Sequence, residues 1–220
     1  MKSKLTLYSL LGVFSVCIGI AFLNNTLLGN DPIGVFYDGI REFSGFSQPE
    51  LGKVSNYINI ILLVFLFVCG RNYFSVGTFL YLIPYGSFIS IGSRVYTWLF
   101  VNIDSSFRII ISILGCLLYY FGISLFIACN IGTDPFNGFV FAIQDKIGWS
   151  LRKVKISLDI LLVIIGVILG GKAGVFTIVT ALTTGPVVQC LSGYFSKQLH
   201  SSESGAIISR TDRKSFYRSF

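Results

Sequence analysis

Two carboxylates in near-identical settings carry the clearest chemical signal in this chain: Asp31 in Gly29-Asn30-Asp31-Pro32 and Asp134 in Gly132-Thr133-Asp134-Pro135. Glycine can take positive φ and end a helix, Asp can accept a hydrogen bond from a free backbone N–H of the next helix, and Pro suits the first helical position. Gly-x-Asp-Pro is therefore a break-and-restart signal. Two readings stay open. In one, both aspartates are only helix caps. In the other, two broken helices set paired polar groups and open helix ends beside a cavity, as in many transporters. A free helix N-terminus attracts anions, but a capping Asp occupies its N–H groups and adds negative charge. A ligand at this pair would be a proton, a cation, or a cationic or hydroxylated solute rather than a carboxylate.

A third carboxylate, Asp159, lies inside the apolar run 156–170, where an ionisable group is costly and faces a partner or a wet cavity. Its counterpart earlier in the chain is Asn59. Each either hydrogen-bonds across a helix interface or sits near the headgroups, with Lys155 beside Asp159, or else contacts a proton or solute. Thr177, Thr180 and Thr184 fall on one helical face before Gly185-Pro186, and Thr78, Tyr81, Tyr85 and Gly86, with Pro84, occupy matching places. Such a stripe means close helix packing or, alternatively, pore lining. The candidate substrate contacts are thus Asp31, Asp134, Asn59, Asp159, Thr78 and Thr177. Gly29, Pro32, Gly132, Pro135, Gly86 and Gly185 are the accompanying structural positions.

These counterparts come from an internal repeat. At a constant offset of 103 residues Gly12 falls on Gly115, Gly19 on Gly122, Ile20 on Ile123, Phe36 on Phe139, Ile40 on Ile143 and Gly45 on Gly148. Past the extra Gln48-Pro49-Glu50 the offset is 100, which pairs Lys53-Val54 with Lys153-Val154, Asn59 with Asp159 and Gly70 with Gly170. It is then 99, pairing Thr78 with Thr177 and Gly86 with Gly185. The copies cover residues 10–92 and 113–192 of one membrane domain, 1–220, and a basic tail occupies 197–220. Gly12 with Gly19 and Gly115 with Gly122 are one heptad apart and read as helix-packing positions.

The solvent follows from composition. Hydrophobic residues make up 53% of the 220-residue chain and charged residues 12%, with a mean hydropathy of +0.75, against roughly 45–50% and about 25% in soluble domains. The expected fold is an all-α integral membrane protein of two tandem repeats. Six transmembrane helices are expected at 5–23, 54–70, 74–91, 109–128, 156–170 and 175–191, plus two short broken helices after the Gly-x-Asp-Pro cassettes. Lys2 and Lys4 precede the first span, which lacks Ala-x-Ala-like cleavage chemistry and reads as an uncleaved signal anchor in a bacterial plasma membrane. Cys17, Cys69, Cys116, Cys129 and Cys190 all lie in apolar runs, without Cys-x-x-Cys spacing, and read as buried thiols with no metal or disulfide.

The formal charge of +7 is read by position, because basic residues collect on the cytoplasmic side of spanning helices; it does not point to nucleic acid. Lys197, Arg210, Arg213, Lys214 and Arg218 put the C-terminus in the cytoplasm with the N-terminus. Phe216, Tyr217 and Phe220 among them suit the inner leaflet surface, or simply a solvated end. If the short segments do not cross, the halves are inverted, with twelve basic residues inside and five outside: Arg41, Lys53, Arg94, Arg108 and Lys172. If they cross, the halves are parallel and only Arg71 and Lys172 stay outside. Length opposes crossing, since residues 31–44 make about 21 Å of helix against a ~30 Å core. The charge count favours the parallel arrangement, which is the expectation.

Together the repeated Gly-x-Asp-Pro with its apolar helix and Gly-Phe/Trp-Ser, the Gly77-Thr78 pair and the glycines Gly86 and Gly185 resemble the YczE/YitT group of bacterial integral membrane proteins, over about residues 10–195. The cassette order Asp-Pro and Phe176 in place of a Gly before Thr177 depart from that group's pattern. The resemblance implies a membrane protein whose architecture suggests transport. More remotely, the chain resembles the small substrate-binding membrane subunits of vitamin uptake systems, an analogy of fold.

Catalysis is not expected. The single histidine, His200, is in the tail, no Ser, Cys or Lys has a base beside it in sequence, and no metal, cofactor or phosphate motif occurs. The functional expectation is a small-metabolite transporter or solute-binding membrane subunit with a site between the repeats. The alternative is an accessory membrane protein that stabilises or regulates another complex. Expected partners are the lipid bilayer, a small polar or cationic solute, and a second copy or a partner membrane protein.

Overall fold

Residues 2–100 and 104–200 are described by the computed structural model of the protein. Eight α-helices follow in order: α1 (Lys2–Thr26), α2 (Pro32–Phe43), α3 (Leu51–Cys69), α4 (Val76–Leu99), α5 (Ser105–Ala128), α6 (Pro135–Ile147), α7 (Leu151–Ile168) and α8 (Val175–His200). Among the described residues five stretches are long and apolar enough to cross a bilayer: Lys4–Thr26, Gln48–Val68, Val76–Leu99, Ser106–Ala128 and Val175–Leu199. α7 carries Arg152, Lys153, Lys155 and Asp159 in its first half and is not among them. α8 continues to His200, past the expected end at 191, so Lys197 is helical. The rest of the basic tail, with Arg210, Arg213, Lys214, Arg218 and the aromatic Phe216, Tyr217 and Phe220, lies outside the described residues.

Helices α1 and α5 form the central pair, and glycine brings their backbones together. A methyl added at Gly19 would lie 2.6 Å from the Gly115 carbonyl oxygen, and one at Gly12 would lie 2.8 Å from that of Gly122. Ser15 Oγ donates to the Leu118 carbonyl (2.8 Å) and Ser112 Oγ to Thr26 Oγ1 (2.8 Å). Residue numbers rise along α1 as they fall along α5, so the pair is antiparallel. α4 instead runs parallel to α1: Phe14 meets Phe88 at 5.1 Å and Phe22 meets Tyr96 at 6.0 Å between ring centroids.

That antiparallel pair overturns the parallel arrangement expected from the charge count. α2 does not carry the chain across. Asn30 Nδ2 donates to the Ile20 carbonyl (3.4 Å), about 9 Å back from the end of α1 at the helical rise. Asn24 Nδ2 then meets Asp38 Oδ1 (3.2 Å), and Gln48 Nε2 meets the Asn24 carbonyl (3.3 Å). The chain leaves α1, doubles back to the level of Ile20, starts α2 there and climbs out on the side it came from. The charge count misleads because it treats every base alike. Arg41 is buried and bonded to Asp38 (2.9 Å) and Glu42 (2.6 Å), and Lys53 is bonded to Glu50 (2.8 Å), so two of the five bases that count against the inverted arrangement are neutralised in place.

The remaining packing is uneven. α3 lies along α4, with Gly52 against Gly86 and the Gly86 N–H donating to Asn56 Oδ1 (2.9 Å). α7 packs on α2, where Gly166 meets Gly39 and Val35, and α8 packs on α5. α7 and α8 do not lie along one another, and Gly185 has open space where Gly86 has a neighbour. Cys17, Cys116 and Cys129 are buried thiols as expected, but Cys190 is exposed on the outer face of α8, where a small hydrophobe is at home against lipid. The side chain of Cys69 lies outside the described ones.

Candidate functional site

Both cassettes restart helices as their residues dictate. Pro32 and Pro135 stand at the first position of α2 and α6 with Asp31 and Asp134 at the N-caps, and Gly29 and Gly132 take the positive φ values 109° and 157° that side chains rarely tolerate. The turns are held crosswise. The first cassette is moored to α8: Asn30 N–H donates to Thr177 Oγ1 (3.2 Å) and Phe176 N–H to the Leu28 carbonyl (3.2 Å). The second is moored to α4, where Thr78 Oγ1 donates to the Thr133 carbonyl (2.8 Å) and Gly77 abuts Gly132. Beyond the spans, Tyr73 donates to Asp145 near the end of α6 (2.7 Å). Partial burial, reinforced by that carboxylate acceptor, holds its hydroxyl up at about 12.

Between these turns lies a cavity of about 720 Å³. Asp31, Asp134, Asn59, Asp159 and Thr177, five of the six expected contacts, line it. Thr78 does not; its hydroxyl is spent on the mooring. Pro32 and Gly185 also reach the wall, whereas Gly29, Gly132, Pro135 and Gly86 do not. Thr184 donates to the Thr180 carbonyl (2.6 Å) of its own helix, whereas Thr180 lies within reach of the carbonyls of Phe176 (2.8 Å) and Thr177 (3.1 Å) and, at 3.5 Å, of Asn30 in the first cassette.

The two aspartates differ in what they do. Asp134 is a full cap: its Oδ1 accepts from Asn137 N–H (3.0 Å) and its Oδ2 from Asn137 Nδ2 (2.6 Å). Asp31, 3% exposed, closes no well-aligned cap bond on α2, although its carboxylate lies over the first turn beside Gly34. Its Oδ2 accepts a long bond from Tyr119 Oη (3.4 Å) and its Oδ1 has no partner. Asn59, 2% exposed, accepts from Tyr37 Oη at Oδ1 (3.0 Å) and leaves Nδ2 without a partner. Asp159 is ion-paired with Lys155 (2.5 and 2.7 Å), whose ammonium lies 5.1 Å from the Phe136 ring centroid. The site therefore holds two settled carboxylates and one unsettled one, beside an amide donor that lacks an acceptor.

Tyrosines complete the wall. Tyr81 and Tyr85 stack at 5.1 Å, Tyr37 meets Tyr85 at 6.5 Å, and Tyr119 comes from α5. Tyr37 and Tyr119 escape a reading by sequence, because neither a single Tyr nor the adjacent pair Tyr119-Tyr120 in an apolar helix carries a periodic signal. The buried pair Asp38–Arg41 escapes it too, though three-residue spacing of opposite charges inside an apolar helix is a usable signal. Asp38 Oδ2 also accepts from Lys172 N–H (2.9 Å), which pins the link between α7 and α8 to α2.

Comparison with known proteins places this architecture among relatives. An uncharacterised protein of Haemophilus influenzae is 29% identical over 194 residues, covering 86% of this chain and 83% of the relative. The uncharacterised membrane protein YczE of Bacillus subtilis is 23% identical over 193 residues, covering 86% of this chain and 87% of its own length. No solved structure matches the chain. The apolar helices and the membrane relative together make this a multi-pass membrane protein of the YczE-like kind. The model of the family of unknown function DUF6198 matches residues 3–193, and the chain belongs to that family.

Proposed function

We propose that the chain is a transporter or solute-binding membrane subunit for a small polar or cationic solute, held between two inverted repeats, α1–α4 and α5–α8. One observation carries the reading. Asp31 Oδ1 and Asn59 Nδ2, a bare acceptor and a bare donor, stand on the wall of one cavity. An unsatisfied buried polar group costs about 1–3 kcal/mol, so a site with one of each sign is built for a partner that supplies both. Inversion accounts for the antiparallel α1 and α5 and for the crossed moorings. On this reading α7, about 27 Å long at the helical rise, is a sixth crossing made tolerable by the Lys155–Asp159 pair, and both termini are cytoplasmic. The site binds rather than transforms its ligand.

The test is thermal unfolding of the purified protein against a library of small metabolites and cations. A ligand at about 100 times its Kd adds roughly 2.7 kcal/mol, and Asp31→Asn abolishes the gain. A hit that Asp31→Asn leaves untouched, or no hit at all, overturns the reading.

A further inference from the structure

The cavity is closed on the α3 side and open on the α7 side. Gly52 and Gly86 let α3 and α4 meet at backbone distance. The same offsets put Arg152 and Gly185 at these positions in α7 and α8, and there the two helices do not lie along one another. The gap is continuous with the polar site. Ile156, Ile160 and Ile164 of α7 and Ile178 and Leu182 of α8 line the cavity, yet they are 49%, 56%, 52%, 64% and 71% exposed. Residues that line an internal cavity and also face outward mark a lateral mouth, and with α7 as the sixth crossing proposed above its apolar stretch 156–164 faces hydrocarbon rather than water.

We infer that the ligand is an amphiphilic amine: its protonated head sits at Asp31, within the cavity that Asn59 also lines, and its alkyl chain leaves through the seam between α7 and α8. The inference rests on the binding function proposed above and adds the ligand's chemical class and its route. Asp31 Oδ1 accepts from the ammonium, and Asn59 Nδ2 donates to an oxygen near the amine. Buried apolar area at the mouth rewards a chain by about 0.8 kcal/mol per methylene, which a water-soluble solute forgoes.

The experiment uses the full chain in phosphatidylglycerol nanodiscs, with empty discs subtracted, and measures binding of dodecylammonium, dodecanol, dodecanoate and ethylammonium. Dodecylammonium is expected to bind at least tenfold tighter than the other three. Leu182→Trp, at a position that faces outward and leaves the core intact, narrows the mouth. It should weaken dodecylammonium at least tenfold and ethylammonium less than twofold. Adding phosphatidylethanolamine to the discs separates two sources of the same chemistry. Competition with dodecylammonium assigns the site to an amine-headed lipid, and no competition assigns it to a free amphiphile. Equal binding of ethylammonium and dodecylammonium, or binding indifferent to Leu182→Trp, overturns the inference. If no dodecyl compound binds but a water-soluble solute from the library does, the inference falls and the binding function stands; if nothing binds, both fall.

Discussion

Thr177 in the first turn of α8 accepts a hydrogen bond from the Asn30 N–H at 3.2 Å, across 147 residues of chain. It fixes the turn from which α2 starts, and so the depth of Asp31. Replacing Thr177 by Val leaves a buried N–H without its acceptor, at a cost of about 1–3 kcal/mol. Thr177→Val is expected to lower the unfolding midpoint and Thr177→Ser to restore it. Equal midpoints for all three would show that the mooring carries no weight.

Asp31 and Asp134 should part company under substitution. Asp134→Ala removes a working cap and is expected to cost about 0.5–2 kcal/mol. Asp31→Asn removes the charge of a buried, poorly partnered carboxylate and is expected to leave stability unchanged or to raise it, while ligand-induced stabilisation disappears. Thermal unfolding of both variants, with and without ligand, measures the difference; equal losses would make the two aspartates the same structural device.

Glycines on the two sides of the molecule should also differ. A methyl at Gly19 meets the Gly115 oxygen at 2.6 Å and the Tyr119 nitrogen at 2.7 Å, so Gly19→Ala is expected to cost about 1–3 kcal/mol through overpacking. Gly185 has nothing within 4 Å, and Gly185→Ala should leave stability unchanged or raise it by up to about 1 kcal/mol. The unfolding midpoints of the two variants give the comparison directly.

The Asp38–Arg41 pair is predicted to be the most sensitive polar contact. Their side chains are 1% and 6% exposed, and Arg41→Met strands a buried carboxylate, which costs about 3–5 kcal/mol. Arg41→Lys should fall between, because an ammonium keeps the charge and loses the fork that also reaches the Phe46 carbonyl at 2.7 Å. A loss under about 0.5 kcal/mol for Arg41→Met would refute the ranking.

The hairpin geometry predicts sidedness. Single cysteines at Ser47 and Trp149, in a chain whose native cysteines have been replaced, should react with an impermeant maleimide from opposite faces of the membrane. Reaction from one face would restore the parallel arrangement.

Much of this is legible in the residues. Gly-x-Asp-Pro is a local signal, and the helix starts at Pro32 and Pro135 need nothing beyond their own neighbours. Part of the polar lining of the cavity follows from asking where polar groups interrupt apolar runs, which picks out Asn59 and Asp159. What stays hidden depends on partners distant in sequence. Asp31 and Asp134 have nearly the same local sequence, yet only Asp134 has a following Asn137 that bonds back to it, while Asp31 is followed by Gly34 at that place and turns towards Tyr119. The orientation of the halves is hidden for another reason: a count of bases gives Arg41 full weight, although Asp38 three residues earlier on the same helix pairs with it in the interior.

The crossed moorings have a consequence for how such a molecule can be divided. Neither α1–α4 nor α5–α8 contains the threonine that ties down its own break: Thr177 serves the first and Thr78 the second. A polypeptide ending after α4 would insert with a loose re-entrant turn and a vacant clasp at the start of its last helix. Its natural remedy is another polypeptide of the same kind, inserted upside down, each closing the other's turn.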